Sequence, residues 1–309
     1  MSYQNPTSYE TKLVMSLSVG HLNVVGITRN GVVCIVQGIL AQNFTLWNPV
    51  TQSVLNIPEP DSPNPDALIG ASAGFGFDPS SNEYVIIRIV QFRQETNSYP
   101  DVAQCFNFQS GRWDWVENDY HGMLPFWVMN PTCEVVVNDV PYWMVEARSV
   151  GVELCLKLAW FDMRTRVFNL ELLPDDWLNK FVIMGEIRPG YLGAIVWCSD
   201  DVVFDRDLYV WTRNDENGEW NETYRVDIRS KPTGGLLVGF YGDAEIVVEL
   251  RTDPDRIPFL QMMKIDVVDE IGNSLLEEVD DCYLDGAFFG TCRMMRYRKS
   301  LTQMPRIGG

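Results

Sequence analysis

One pattern constrains the fold of this chain more than any other: four short strand-like segments recur about every fifty residues. The segments predicted as second strands centre on Cys34, Ile87, Trp143, Val196 and Val247, at intervals of 53, 56, 53 and 51 residues. They are apolar and rich in β-branched residues, and turn-forming residues separate them from their neighbours. This period is typical of β-propeller blades, because a lone four-stranded sheet leaves both faces bare and stacked neighbours bury them.

The clearest single unit of the repeat is a hairpin predicted over residues 74–89. Phe75 and Phe77 alternate with glycines, and residues 78–82 are a cluster of Asp, Pro, Ser and Asn, the residue types that form tight turns. The run 84–90 that follows is apolar and rich in β-branched side chains. The pattern therefore predicts strand, turn and returning strand.

Five complete sets of four segments lie between residues 23 and 279, and strand-like stretches remain at 12–19 and 286–298. Pairing of these two stretches would complete a further blade and close the ring, which removes its open edges. We therefore predict an all-β fold, a single β-propeller of about six four-stranded blades, with five blades as the alternative. No long amphipathic helix is indicated, which disfavours a parallel α/β fold.

Three regions of the chain are predicted from this repeat. Residues 1–22 form an N-terminal segment that partly supplies the closing strand, residues 23–298 form the propeller, and residues 299–309 form a flexible C-terminal tail. Within each blade, the first-to-second and third-to-fourth turns are short and share one face, which we call the short-turn face. The second-to-third loops and the links between blades are longer and share the opposite, long-loop face, where binding is expected.

Composition and charge exclude several classes of function. The formal net charge is -18 and the pI is about 4.4. The negative field of such a chain repels phosphate backbones, so a basic partner is favoured over nucleic acid. Residues 1–16 lack a signal-peptide pattern, and no apolar run approaches the ~20 residues of a membrane span. The seven cysteines are widely spaced without a C-x-x-C motif, which indicates buried thiols in a reducing compartment. A cytoplasmic or nuclear location is expected, with no membrane.

Motifs that carry chemistry are weak in this chain. Residues 70–74 fit G-x-S-x-G, but that nucleophile elbow requires a helix after the serine, and a hairpin is predicted here. The only histidines are His21 and His121, and no Cys/His cluster has zinc-binding spacing. We predict no catalytic residue, metal or cofactor. The alternative is a carbohydrate-active enzyme on a propeller scaffold, which needs acidic residues on inner strands, and Glu186 is the exception among mostly apolar or small residues there.

Candidate binding residues are those that fall in the long loops rather than at strand positions. Tyr and Trp are enriched in binding hot spots, and loop aromatics are therefore the first choice for partner contacts. Five residues are predicted to contact a partner: Tyr99, Pro100, Tyr120, His121 and Phe126. The alternative interpretation is that these side chains fold back onto the propeller.

Several segments together resemble one known family. In chain order they read GVVCI, LWNPVTQ and LNIP within residues 31–58, GFGFDPSSNEY at 74–84, VNDVPYW at 137–143, FD at 161–162 and LYVW at 208–211. They resemble, in order and spacing, the patterns GLICL, LWNPATRE, LP, GFGYDP-x-SNDYKVVRI, VNGALHWL, SFDL and LDIWVM of plant F-box-associated domains. The resemblance covers residues 31–211 and is weaker beyond them.

The resemblance implies a propeller-like protein-interaction domain placed after an F-box. In that family, the F-box docks on the Skp1-type adaptor of a cullin ubiquitin ligase, and the associated domain captures the protein substrate. Residues 1–23 hold nothing like the F-box pattern. We therefore expect a module that resembles the substrate-recognition domain of SCF-type ligases, with a protein substrate as its partner and without adaptor docking through an F-box.

Overall fold

The structure is a computed structural model of the full 309-residue chain. It describes residues 13–14, 22–38, 40–61, 67–92, 101–116, 124–147, 155–200, 203–204, 207–227, 236–240, 245–250, 259–266, 275–282, 294–295, 300–301 and 303–307. These residues are all-β, as predicted, and no α-helix occurs among them. None of their helical segments is long and apolar enough to cross a membrane.

Two antiparallel sheets are built from the N-terminal part of the chain. Sheet I has the order β2 (Leu22–Ile27), β3 (Val33–Gln37), β4 (Asn43–Asn48) and β5 (Ser53–Ile57). Sheet II has the order β6 (Leu68–Asp78), β7 (Glu83–Phe92), β8 (Asp101–Asn107) and β9 (Arg112–Trp115). Strands that follow each other in sequence are neighbours in each sheet. The hairpin predicted over residues 74–89 corresponds to β6 and β7.

Three further antiparallel sheets follow. Sheet III contains β10 (Phe126–Val128), β11 (Val135–Val137), β12 (Val140–Ala147), β13 (Cys155–Asp162) and β14 (Val167–Leu172). Sheet IV has the order β15 (Phe181–Arg188), β16 (Tyr191–Trp197), β19 (Asp207–Arg213) and β20 (Trp220–Asp227). Sheet V has the order β21 (Leu236–Phe240), β22 (Glu245–Leu250), β23 (Phe259–Asp266) and β24 (Leu275–Cys282).

Short elements complete the described structure. Two-residue ladders join β1 (Leu13–Val14) to β25 (Met294–Met295) and β17 (Ser199–Asp200) to β18 (Val203–Phe204). A 3₁₀ turn (Asp175–Trp177) precedes β15. First strands of successive sheets lie side by side, as β2 does with β6, β11 with β15, and β15 with β21. This is the β-propeller arrangement that the repeat predicts.

The fifth strand of sheet III arises because its innermost position is divided. Both β10 and β11 pair with the same edge of β12, β10 with residues 145–147 and β11 with residues 140–142. Between them the chain leaves this ladder and binds β6 instead. The Ala73 amide donates to the Pro131 carbonyl at 3.1 Å, and the Cys133 amide donates to the Ala73 carbonyl at 2.7 Å.

The predicted blade number is wrong. Four sheets have the predicted four strands, sheet III has five, and neither six nor five four-stranded blades occur among the described residues. The two termini were expected to complete a blade, but their described pairing consists only of Leu13 with Met295 and Val14 with Met294. A ladder of two residues per strand is too short to bury the face of a neighbouring sheet.

The Gly-Phe-Gly-Phe run of β6 is explained by packing between sheets II and III. Phe75 is fully buried and stacks on Tyr84 with ring centroids 5.8 Å apart. A Cβ atom at Gly74 would overlap the ring of Trp143, and one at Gly76 would overlap the carbonyl oxygen of Asp139. The glycines therefore allow sheet III to approach β6 while the phenylalanines fill the core shared by sheets I to III.

The short-turn face carries a repeated turn that explains part of the sequence period. In four sheets, an Asn or Asp stands at the end of the third strand or directly after it. Its Oδ1 accepts a hydrogen bond from the backbone N–H two residues later, at 2.8–3.0 Å. The four residues are Asn48, Asn107, Asp162 and Asn214. The residue four positions on has positive φ in each case: Gln52 (56°), Gly111 (68°), Arg166 (60°) and Gly218 (74°). Side-chain acceptance of local amides is the property that places Asn and Asp in turns.

The described C-terminal residues, 300–301 and 303–307, contact the domain, and the flexible tail over 299–309 stays a prediction. Asn48 Nδ2 donates to the Ser300 carbonyl at 3.1 Å. Met304 and Ile307 pack against the core of sheets I to III. These contacts hold the described part of the C-terminus next to sheets I and II.

Candidate functional site

The long-loop face has exposed apolar side chains at or near its innermost strands among the described residues. Four of the five predicted contact residues, Tyr99, Pro100, Tyr120 and His121, lie outside the described residues. The fifth, Phe126, was expected in a long loop but lies in β10. Its side chain is 5% exposed, and its ring packs edge-on against Phe168 with centroids 5.5 Å apart. Pairing of β10 with β12 places Phe126 in the core, so its ring is not available to a partner.

Five exposed apolar residues lie at or near the long-loop ends of β6, β10 and β15, and we call them the apolar mouth: Ile69, Trp127, Met129, Leu178 and Phe181. Sequence reasoning missed all five. Strand positions in an apolar run are normally core, and nothing in the local pattern separates Trp127 from its buried neighbours Phe126 and Val128. Only the arrangement of the inner strands shows that these side chains reach solvent.

Phe181 is the most exposed aromatic residue of the mouth. It is the first residue of β15 and pairs with Trp197 at the end of β16. The two rings stack with centroids 5.5 Å apart and an interplanar angle of 20°. Trp197 is 8% exposed whereas Phe181 is 54% exposed. The buried indole therefore supports one face of the phenyl ring, and the remaining ring surface is held toward solvent in a defined orientation.

The buried side chain of Trp177 anchors the 3₁₀ turn that precedes Phe181. This side chain is 1% exposed and makes edge-on contacts with Trp211 and Trp220, at centroid distances of 5.8 and 4.8 Å. The Leu178 amide donates to the Asp175 carbonyl at 3.1 Å, which closes the turn. Leu178 consequently projects from an anchored turn rather than from a loose loop.

Trp127 lies on the innermost strand of sheet III. Its neighbours Phe126 and Val128 are buried, and the Val128 carbonyl accepts a hydrogen bond from Gln91 Nε2 at 2.9 Å. This bond connects β10 to β7 of the neighbouring sheet. Trp127 is 41% exposed, so a part of the indole surface is accessible from a rigid strand.

A buried arginine holds the links around β6 in place. Arg88 donates from Nε and Nη2 to the Leu40 carbonyl at 3.2 and 2.9 Å, and from Nη1 to Gln104 Oε1 at 3.0 Å. Gln104 in turn donates to the Asp61 carbonyl at 2.9 Å. Burial lowers the pKa of Arg88 to about 10, against an opposing effect of Glu59, so the side chain is a cation at neutral pH. The guanidinium therefore fixes the chain near residues 40 and 61 on the long-loop face.

The residues considered for catalysis have structural contacts. Ser72 of the G-x-S-x-G match is buried within β6, and its Oγ accepts a hydrogen bond from Trp143 Nε1 at 3.1 Å. Glu186 Oε1 accepts the Gly190 amide at 2.6 Å at the turn between β15 and β16, at the opposite end of β15 from Phe181. In the part of the chain that the structure describes, no three His, Cys, Asp or Glu residues are grouped to hold a metal ion.

Comparison with known proteins identifies the family. A family model described as the F-box associated beta propeller domain matches residues 14–301. The chain belongs to this family. Membership confirms the resemblance seen in the motifs and indicates a protein-interaction module of F-box proteins.

Other comparisons add no functional information. No curated protein matches the chain. Among solved structures, the crystal structure of the tricorn protease is similar to it with 11% sequence identity and a TM-score of 0.30, over 85% of this chain. The alignment spans 30% of the length of that protease. A similarity this distant carries no argument about fold or activity.

Proposed function

We propose that this domain captures a protein substrate for an SCF-type ubiquitin ligase and binds it through the apolar mouth on the long-loop face. The observation that supports this proposal most directly is the exposure of Trp127 and Phe181 on rigid inner strands. Large aromatic side chains held in one orientation lose little conformational entropy on binding, which is why they are enriched in hot spots.

The exposure of the mouth residues sets the expected contribution of each to binding. Full burial of one large apolar side chain contributes roughly 1.5–3 kcal/mol, and the side chains of the mouth are about half exposed before binding. Loss of one aromatic residue from the mouth is therefore expected to weaken binding by roughly 1–2 kcal/mol, about five- to thirtyfold in affinity.

Substrate capture and adaptor docking are separate functions in this proposal. The propeller selects the substrate, and an F-box docks on the Skp1-type adaptor. We propose a cytoplasmic or nuclear location, because the described cysteines are thiols, as expected in a reducing compartment. We also propose that the domain binds without catalysis, in keeping with the position of Glu186, whose carboxylate caps a turn on the short-turn face.

The test uses a mouth variant, Trp127→Ser with Phe181→Ser, and a matched control that removes exposed apolar residues elsewhere. Val54 in β5 and Val167 in β14 are exposed and lie on outermost strands, so Val54→Ser with Val167→Ser is that control. Proteins captured by the wild-type domain in extract are identified by mass spectrometry. Substrates are expected to be lost by the mouth variant and kept by the control, and circular dichroism checks that both variants fold.

The ligase role needs a second measurement. The domain is fused to an F-box and placed in a reconstituted SCF-type ligase with a substrate identified by capture. Ubiquitin transfer to that substrate is expected with the wild-type and control domains and not with the mouth variant. Equal transfer by all three would show that the mouth is not the substrate site.

A further inference from the structure

We infer that the segment bound at the Phe181 side of the mouth is basic, with an arginine side chain stacked on the Phe181 ring. The inference deepens the proposed function and rests on it. Two features of the described residues support it: the exposed ring of Phe181 is stacked on Trp197, and the nearby carboxylates of Asp175 and Asp176 have no cationic partner among those residues.

Carboxylates accompany the exposed apolar residues of the mouth. Asp175 and Asp176 are exposed in the 3₁₀ turn directly before Leu178, and neither forms an ion pair with a described residue. Glu146 is the cross-strand neighbour of Trp127. Glu59 and Asp61 are exposed in the link that leads to β6. The described surface around the mouth therefore combines apolar area with negative charge.

The described cations at this end of the molecule have other neighbours or lie on other strands. Lys157 is in β13, the third strand of sheet III. Lys180 Nζ and the Arg225 guanidinium lie 5.4 and 4.9 Å from the ring centroid of Tyr209, which is in the third strand of sheet IV. Arg88 is buried beneath the links. None of the contacts of these cations involves Asp175 or Asp176, so within the described residues the two carboxylates have no cationic partner.

The chemistry of the site selects arginine or lysine over other side chains. A cation within about 6 Å of an aromatic centroid is attracted by the negative face of the ring, by roughly 0.5–1 kcal/mol at exposed sites and more when water is excluded. The aliphatic stem of the same side chain would pack on Leu178, and its charged end would reach Asp175 or Asp176. Arginine suits the ring better than lysine because its planar guanidinium stacks and is weakly hydrated.

Two further observations agree with a basic partner. The same sheet already contains such a pair, since the Arg188 guanidinium lies 3.8 Å from the ring centroid of Tyr191. The formal net charge of -18 attracts a basic segment from a distance and repels an acidic one. The local site gives orientation and selectivity, and the overall charge raises the association rate.

The test uses three dodecapeptides that alternate leucine with arginine, glutamine or glutamate. Their affinities for the full chain are measured by fluorescence anisotropy at two salt concentrations. The arginine peptide is expected to bind about tenfold more tightly than the glutamine peptide, and the glutamate peptide is expected to bind weakest. Equal affinity of the arginine and glutamine peptides would overturn the inference.

Two variants separate a local site from the general charge of the chain. Asp175→Asn with Asp176→Asn removes two charges at the mouth, and Glu216→Gln with Glu219→Gln removes two charges from a short turn on the opposite face. The first is expected to weaken the arginine peptide about tenfold and the second less than twofold. Equal losses would mean that the overall field, and no specific site, attracts the peptide.

A conservative variant tests the ring itself. Phe181→Leu keeps apolar area but removes the aromatic face, so it is expected to lose most of the preference for arginine over glutamine. An unchanged preference would contradict stacking. If substrate capture depends on the mouth but no arginine preference is found, the basic class is wrong and the proposed function stands. If the preference is found but capture survives loss of the mouth, the proposed function fails instead.

Discussion

The two faces of this propeller are held together in different ways. On the short-turn face, polar groups are satisfied locally: Asn48 and Asp162 accept the amides of their own turns, and Arg29 binds Asp139 with N···O distances of 2.6 Å. On the long-loop face, apolar side chains such as Phe181 remain exposed although the strands beneath them are fixed. The short-turn face is therefore expected to tolerate substitution of its turn residues poorly, and the exposed apolar residues of the long-loop face are expected to matter less for stability.

Substitution of Gly76 is expected to give the largest loss of stability. An added Cβ would overlap the carbonyl oxygen of Asp139, a backbone atom that moves only if sheets II and III separate. Gly76→Ala is expected to lower the free energy of unfolding by about 3 kcal/mol, measured by urea denaturation. Gly70→Ala is the control, because the three atoms nearest to its Cβ would all belong to the Gln91 side chain and none to the backbone. Similar losses in both variants would argue against the close approach as the cause.

The second expected effect concerns Asp139, which connects three sheets near the short-turn face. Its buried carboxylate accepts bonds from the backbone amide and Nε of Arg29, and its carbonyl accepts the Phe77 amide at 3.2 Å. Asp139→Asn keeps a residue type that tolerates the positive φ of 65° but removes the charge. A loss of about 2 kcal/mol in the free energy of unfolding is expected, below the roughly 3–5 kcal/mol for a fully buried pair, because Arg29 is half exposed.

The Arg29–Asp139 prediction has an internal control at a pair whose carboxylate is exposed. Arg213 Nη1 and Asp215 Oδ1 are 3.6 Å apart, and the Asp215 side chain is about half in solvent, whereas that of Asp139 is buried. Asp215→Asn is expected to change the free energy of unfolding by less than about 0.5 kcal/mol. A loss as large as that of Asp139→Asn would show that burial of the carboxylate does not decide the contribution of these pairs.

Parts of the fold that depend on local chemistry were predictable from the sequence. The turn between β6 and β7 could be located because Asp78, Pro79, Ser80 and Asn82 favour a turn, and Asp78 Oδ1 indeed accepts the Ser80 amide at 2.8 Å. The family could be predicted for the same reason, since its motifs lie at these turns. Strand existence and order followed from hydrophobic periodicity.

The division of β10 from β11 was not predictable, because it depends on bonds between Ala73 and residues 131 and 133, about sixty positions away. The burial of Phe126 and the exposure of Phe181 likewise depend on partners, Phe168 and Trp197, that no local pattern specifies. Blade number has the same origin, since it depends on how much of each terminus pairs. Long-range pairing therefore limits prediction of the site more than prediction of the scaffold.

The stability supplied by a turn on the short-turn face is expected to depend on pH. Partial burial would raise the pKa of Asp162, but hydrogen bonds from Thr165 and Arg164 outweigh it and hold the pKa below its usual 3.8. A lowered folded-state pKa gives stability that is present above the unfolded value and is lost as pH falls through the folded value. The wild-type domain is therefore expected to lose more stability than Asp162→Asn between pH 5 and pH 2.

Asparagine is a suitable replacement at this position because Asn48, Asn107 and Asn214 make the same turn in sheets I, II and IV. At pH 7, Asp162→Asn is expected to cost about 1 kcal/mol or less, as for other local side-chain acceptors. Asp176→Asn, at an exposed position on the long-loop face, is the control and should retain the acid sensitivity of the wild type. Parallel pH profiles for all three proteins would contradict the role assigned to the turn.

The smallest expected change in stability belongs to the long-loop face. Phe181 is 54% exposed and its main described contact is the ring of Trp197, so Phe181→Ser removes little buried area. The free energy of unfolding is expected to change by less than about 1 kcal/mol, while substrate affinity falls about five- to thirtyfold. Urea denaturation and affinity are measured on the same preparation. A large loss of stability would show that the mouth is part of the scaffold, and the separation of the two faces would fail.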